Sequence, residues 1–171
     1  GFLYVRSGTK VPALLCGGSQ ERNMRAGTEN VASIAGMAFA LKKCYANLEG
    51  KNTQLQDLKS YLREQLKNRF PGVRFNGAQE SSGAIPTVLN VTFPGQGDSM
   101  LLFNLDISGI SASGGSACTS GSVKGSHVLA EIGVSPEDAT NSVRFSFGVQ
   151  TTREELDLLL EKLETFVKIV A

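Results

Sequence analysis

The stretch 142-SVRFSFGVQTTREELDLLLEKLETFVKIV-170 carries two different periods in succession. Over residues 142–147, Val143, Phe145 and Phe147 alternate with Ser142, Arg144 and Ser146. That is the period of two expected of a half-buried strand. Beyond Gly148 the spacing changes, and Leu156, Leu159, Leu160, Leu163, Phe166, Val167 and Val170 fall on one continuous helical stripe. Thr151 with Glu154, or Thr152 with Glu155, supplies a capping box at its start. A strand with one apolar face, running into a helix with one apolar stripe, calls for helices layered on a sheet.

Working outward, the pattern predicts a short strand over residues 2–5, followed by an extended, glycine-bearing loop over 7–28. Val31, Ile34, Ala35, Ala38 and Leu41 predict a helix that runs to about Leu48, with Glu49-Gly50 ending it. Leu55, Leu58, Leu62 and Leu66 line a second helix through Phe70, which Pro71-Gly72 stops. Strands are expected over 73–75, 87–93 and 107–112, and short helices over 98–105 and 126–132, the latter closed by Gly133. The fold class is α/β, with an α+β small domain in which helices pack on a mainly antiparallel sheet. A boundary is expected near residues 49–53.

Bulk properties exclude several functions. Basic and acidic residues nearly cancel, 17 against 16, and no basic cluster stands out, so nucleic acid is not the expected partner. The apolar stretches are too short and too interrupted to span a membrane. No export signal opens the chain, so the expected compartment is the reducing cytoplasm. Three cysteines without CxxC spacing, and a single histidine, argue against a disulfide framework and a zinc site. The chain opens at Gly1 directly on a strand-like run, which predicts a piece of something longer.

Four positions invite chemistry. Cys118 lies within 114-GGSACTSGSVKGSH-127, among small residues that give its thiol no apolar cover. A thiol reacts as thiolate, and glycine-rich backbone N–H groups can favour that form; the bland reading is an incidental surface cysteine. Arg144 projects from the polar face of its strand, where a guanidinium can grip a carboxylate through two parallel hydrogen bonds or remain a surface charge. Thr28 stands where the first long helix begins. Its hydroxyl can meet a phosphate at the positive helix end, or serve as a plain N-cap. His127 reads as structural or capping, and Cys16 and Cys44 as structural.

Three blocks resemble the pyridoxal-phosphate-dependent cysteine desulfurases, of the iron–sulfur-cluster type and the aminotransferase class V: 17-GGSQERNMRAGTEN-30, 111-SASGGSACTSGSVKGSHVL-129 and 142-SVRFSFGVQTTREELD-157. Weaker support comes from 86-PTVLNVTFPG-95 and 101-LLFNLDISGI-110. The resemblance implies the C-terminal portion of a fold-type I transferase, with residues 1–49 as the end of its large domain and linking helix, and 50–171 as the small domain bearing the cysteine loop. It implies that Cys118 takes sulfur from L-cysteine as a persulfide, leaving L-alanine, and that Arg144 binds the substrate carboxylate. It implies that Thr28 reaches the cofactor phosphate of the other subunit of a homodimer. A sulfur-acceptor scaffold protein is the implied partner, and no metal ligand is implied. The family's Schiff-base lysine, its ring-stacking histidine and the aspartate that pairs with the pyridine nitrogen would all precede Gly1, and none of Lys10, Lys42 or Lys43 sits in the lysine's motif. The 171 residues alone are therefore expected to be inactive. The readings left beside this one are a selenocysteine lyase or another enzyme of the same fold, and a non-catalytic thiol-bearing binding module.

Overall fold

The computed structural model describes residues 1–78, 84–96, 100–114 and 126–167. The chain divides into two compact units, Gly1–Leu48 and Glu49–Ala171.

In the first unit, α1 (Gln20–Asn23) is a left-handed turn and not an ordinary helix: Glu21, Arg22 and Asn23 have φ of 49°, 56° and 63°. L-residues enter that region at roughly 1–2 kcal/mol each, so three in a row constitute a strained segment. α2 (Val31–Tyr45) starts cleanly, because the Asn30 side chain accepts from the Ser33 N–H at 3.1 Å. Lys42 and Lys43 sit in its last turn, where the helix dipole favours cations. No residue of α2 is buried; Val31, Ile34, Phe39 and Leu41 are all exposed. The strand expected over residues 2–5 does not form. Phe2, Leu3 and Tyr4 are exposed, and no strand pairs with them among the described residues. An apolar run alone makes no ladder.

The second unit is built on α3 (Leu48–Arg69), β1 (Arg74–Asn76), β2 (Val88–Thr92), α4 (Leu101–Ile107), α5 (His127–Glu131), α6 (Pro136–Thr140), β3 (Ser142–Ser146) and α7 (Arg153–Phe166). The three strands form one antiparallel sheet in the order β1-β2-β3, with Asn90 opposite Arg144 and Val91 opposite Val143. Leu55, Leu58, Leu62 and Leu66 of α3 pack with Leu156, Leu159, Leu160 and Leu163 of α7 in one core that includes Val91, Phe93, Val143 and Phe145. Each such side chain withdrawn from water contributes about 1.5–3 kcal/mol. Phe70 and Phe93 meet edge to face, with centroids 5.8 Å apart. The Thr152–Glu155 pair makes both halves of the capping box, so of the two expected alternatives this one is realised.

Polar contacts bind the layers. Tyr61 of α3 donates to the Asp157 carboxylate of α7, and the Arg153 guanidinium lies 4.9 Å from the Tyr61 ring centre. That hydrogen bond, with burial second, raises the Tyr61 phenol above its ordinary value. Lys59 is buried and donates to the Ile85 carbonyl at 2.8 Å; desolvation, then the Arg63 charge, lower its pKa.

Several elements differ from expectation. α4 runs on to Ile107, and no strand follows over 107–112. Gly109, at φ 78°, ends the helix: its N–H bonds to the Asp106 carbonyl and the Ile110 N–H to that of Leu105, the pair of bonds that closes a helix on a left-handed glycine. Gly133 closes α5 in the same way, as its position predicted. Ser142 is buried, although the alternation put it on the polar face. Its hydroxyl lies 2.8 Å from Thr92 Oγ1 and donates to the Asp138 carbonyl at 2.7 Å, so the polar group is satisfied where it sits. α6 was not expected; Ser135 caps it, with Pro136 at its first position. Cys16 and Cys44, read as structural, are both exposed and outside any disulfide among the described residues. No helix among the described residues is long and apolar enough to cross a membrane.

Candidate functional site

Arg144 sits on β3 with its side chain exposed, on the face opposite Val143 and Phe145, as the alternation predicts. Its backbone is fixed along both edges. On one side it stands opposite Asn90 of β2. On the other it bridges Ser113: the Arg144 N–H donates to the Ser113 carbonyl at 2.6 Å, and the Ser113 N–H to the Arg144 carbonyl at 3.2 Å. The guanidinium joins in, Nη2 donating to Ser113 Oγ at 3.3 Å. A planar guanidinium, its donors along its edges, is thus presented from a rigid strand with one nitrogen already committed.

Ser113 is the root of the segment that holds Cys118. Gly114 follows it, and a Cβ there would come within 2.5 Å of Leu102 Cδ1, so the close approach to α4 favours glycine. Cys118 itself lies outside the described residues. At the far end of that segment Ser126 caps α5, its hydroxyl accepting from the Leu129 N–H at 3.4 Å, and His127 is the exposed first residue of the helix. Ser113 was not singled out from the sequence. Its partner is 31 residues away, and only its place just before the paired glycines marked it.

Thr28 belongs to the first unit, two residues before the cap of α2. The cap is Asn30, which removes the plain-cap alternative for Thr28. The Thr28 hydroxyl is exposed, and no hydrogen bond to it is found among the described residues. The Arg25 guanidinium donates through Nη1 to the carbonyls of Gly27, at 2.9 Å, and Thr28, at 3.0 Å. Gln20 Oε1 accepts from the Gly27 N–H at 3.2 Å. A free hydroxyl and the positive end of a 15-residue helix form a donor set that suits a phosphate group.

Comparison with known proteins places the chain in a family. The family model described as aminotransferase class-V matches residues 1–159. The chain belongs to the aminotransferase class-V family. Within it, the chain is 40% identical over 168 residues to the cysteine desulfurase IscS of Clostridium botulinum, covering 98% of this chain and 42% of that protein. It is 38% identical over 168 residues to the cysteine desulfurase NifS of Azotobacter vinelandii, covering 98% of this chain and 41% of that one. Among solved structures, a NifS-like protein superposes with a TM-score of 0.78 at 31% identity, over 95% of this chain and 40% of its own. A NifS-like protein from Rickettsia africae gives 0.75 at 27% identity, over 92% of this chain and 40% of its own. The chain therefore spans about two fifths of the length of the relatives it matches. The helices on a small antiparallel sheet are the architecture these neighbours share with this chain.

Proposed function

We propose that this chain is the C-terminal part of a cysteine desulfurase, which removes sulfur from L-cysteine, leaves L-alanine and carries the sulfur as a persulfide on Cys118. The observation that supports it best is the tie between Arg144 and Ser113. It sets a carboxylate-binding group on a rigid strand beside the root of the segment that carries the thiol.

In this reading Arg144 holds the substrate carboxylate through charge-assisted hydrogen bonds, which fixes the amino acid in one orientation. Cys118 is the nucleophile toward the substrate sulfur and the donor toward a sulfur-acceptor scaffold protein. Thr28, with the α2 N-terminus, holds the phosphate of pyridoxal phosphate, and does so across the interface of a homodimer. The cofactor supplies an electron sink that weakens bonds at the substrate amino acid. A thiolate carrier requires a reducing compartment, so the cytoplasm is the proposed location.

The test uses the full-length protein and its Cys118→Ala form. Sulfide release from cysteine is expected to collapse in the variant while the yellow cofactor absorbance is retained. Unchanged release would remove Cys118 from the nucleophile role. For the 171 residues alone, added pyridoxal phosphate is expected to give no Schiff-base absorbance and no turnover; either signal would overturn the assignment of the lysine to another part of the protein.

A further inference from the structure

We propose that Arg25 is a positioning residue for Thr28, acting through two backbone carbonyls and not through its own charge on the cofactor phosphate. The inference rests on the reading of Thr28 as a phosphate ligand and adds the device that aims it.

The Arg25 backbone is anchored first. It forms a parallel bridge with Leu15, and the following Ala26 N–H donates to the Leu15 carbonyl at 3.1 Å. From that anchor the side chain reaches forward, and one nitrogen, Nη1, donates to the carbonyls of both Gly27 and Thr28. Two successive peptide groups are thereby held with their oxygens toward the guanidinium. In a trans peptide the N–H points opposite to the C=O. The N–H groups of Thr28 and Glu29 are therefore turned away from Arg25, and no backbone bond to either is found among the described residues. Gly27 permits this arrangement at φ 100°, where a side chain would be strained. The Gln20 amide oxygen holds the Gly27 N–H and closes the turn from the other side. Strain stored in the left-handed Glu21–Arg22–Asn23 run lies within the turn so braced.

A guanidinium committed in this way fixes the backbone from which the Thr28 hydroxyl projects. Lysine keeps the charge, but its ammonium rides on a flexible stem that does not hold one nitrogen in place between the two carbonyls. Charge and positioning are therefore separable. The experiment measures the dissociation constants of pyridoxal phosphate and of phosphate-free pyridoxal for the full-length protein and its Arg25→Lys, Arg25→Gln, Thr28→Ala and Arg25→Lys/Thr28→Ala forms. Arg25→Lys is expected to weaken pyridoxal phosphate about tenfold, the scale of one charge-assisted hydrogen bond. Pyridoxal is expected to bind as before. The double variant is expected to be no weaker than Thr28→Ala, because the two residues act as one unit. Should Arg25→Lys bind pyridoxal phosphate normally while Arg25→Gln does not, the charge acts directly and the proposal fails. Additive losses in the double variant, or equal losses for both ligands, overturn it as well. If Thr28→Ala leaves pyridoxal phosphate binding unchanged, the reading of Thr28 itself falls, and the proposal with it.

Discussion

Arg144 and Ser113 are joined at three points: two backbone hydrogen bonds and one from the guanidinium to the serine hydroxyl. Replacing Ser113 by Ala keeps the backbone pair and removes the third. A neutral acceptor lost from an exposed guanidinium is worth about 0.5–1.5 kcal/mol. In the full-length protein, Ser113→Ala is expected to raise KM for cysteine by roughly 2- to 10-fold, with kcat changed much less. Steady-state sulfide release against cysteine concentration checks the split.

Arg144→Ala removes the proposed carboxylate grip itself. Charge-assisted bonds of this type are worth about 1.5–3 kcal/mol, so kcat/KM for cysteine is expected to fall by roughly 10- to 150-fold. Sheet stability should hardly move, because the side chain is exposed. Thermal unfolding alongside the kinetics separates the two effects.

Tyr61 gives the second unit a pH dependence. Its phenol is raised above 10.0, first by the hydrogen bond to Asp157, so the folded state holds the proton more tightly than the unfolded chain. The stability from this contact is fully present below pH 10.0 and is lost as pH rises through the folded value. Tyr61→Phe is expected to shrink the loss of stability above that pH, measured by urea unfolding at several alkaline pH values. An unchanged alkaline loss would sink the assignment.

Leu160 of α7 is fully buried in the core. Leu160→Ala removes apolar surface and leaves a cavity, at a cost of about 2–5 kcal/mol. Urea titration is expected to show a lower midpoint with an unchanged slope.

The capping box at α7 is a smaller, cleaner test. Thr152→Ala leaves the Glu155 N–H without its partner and is expected to cost about 1 kcal/mol. Thr151→Ala serves as the neighbouring control, since the Thr151 hydroxyl instead accepts from the Gly148 N–H at 3.0 Å.

What could be read from the sequence was whatever depends on near neighbours. The stripe Leu156–Leu159–Leu160–Leu163 and the row Leu55–Leu58–Leu62–Leu66 are set by spacing alone, and both are buried. Gly133 and the Thr152 cap are equally local. Residues 2–5 and 107–112 failed for opposite reasons. The first is an apolar run with no pairing strand among the described residues, while at the second α4 runs through Ile107 and a turn at Gly109 follows it. Ser142 broke the alternation because Thr92, fifty residues away, and the Asp138 carbonyl of the preceding helix satisfy its hydroxyl. α6 left a signal, Ser135-Pro136-Glu137-Asp138, whose cap and N1 proline mark a helix start, but five residues carry no apolar period. At the site, Arg144 was legible as one exposed position on a strand. Ser113 and Gln20 were not, because each is placed by a hydrogen bond that spacing does not encode.

The anchoring of Ser113 to the sheet also sets a radius. Cys118 is five residues beyond it, and a chain stretches at most ~3.3–3.6 Å per residue, so its α-carbon lies within about 18 Å of that of Ser113 whatever route the intervening residues take. In the proposed reading, a protein that collects sulfur from this thiol must place its own receiving atom inside that sphere, give or take a side chain's length. Inserting or deleting residues between 114 and 117 would resize the sphere without touching the chemistry, so the length of this stretch is a gauge of how near a recipient has to come.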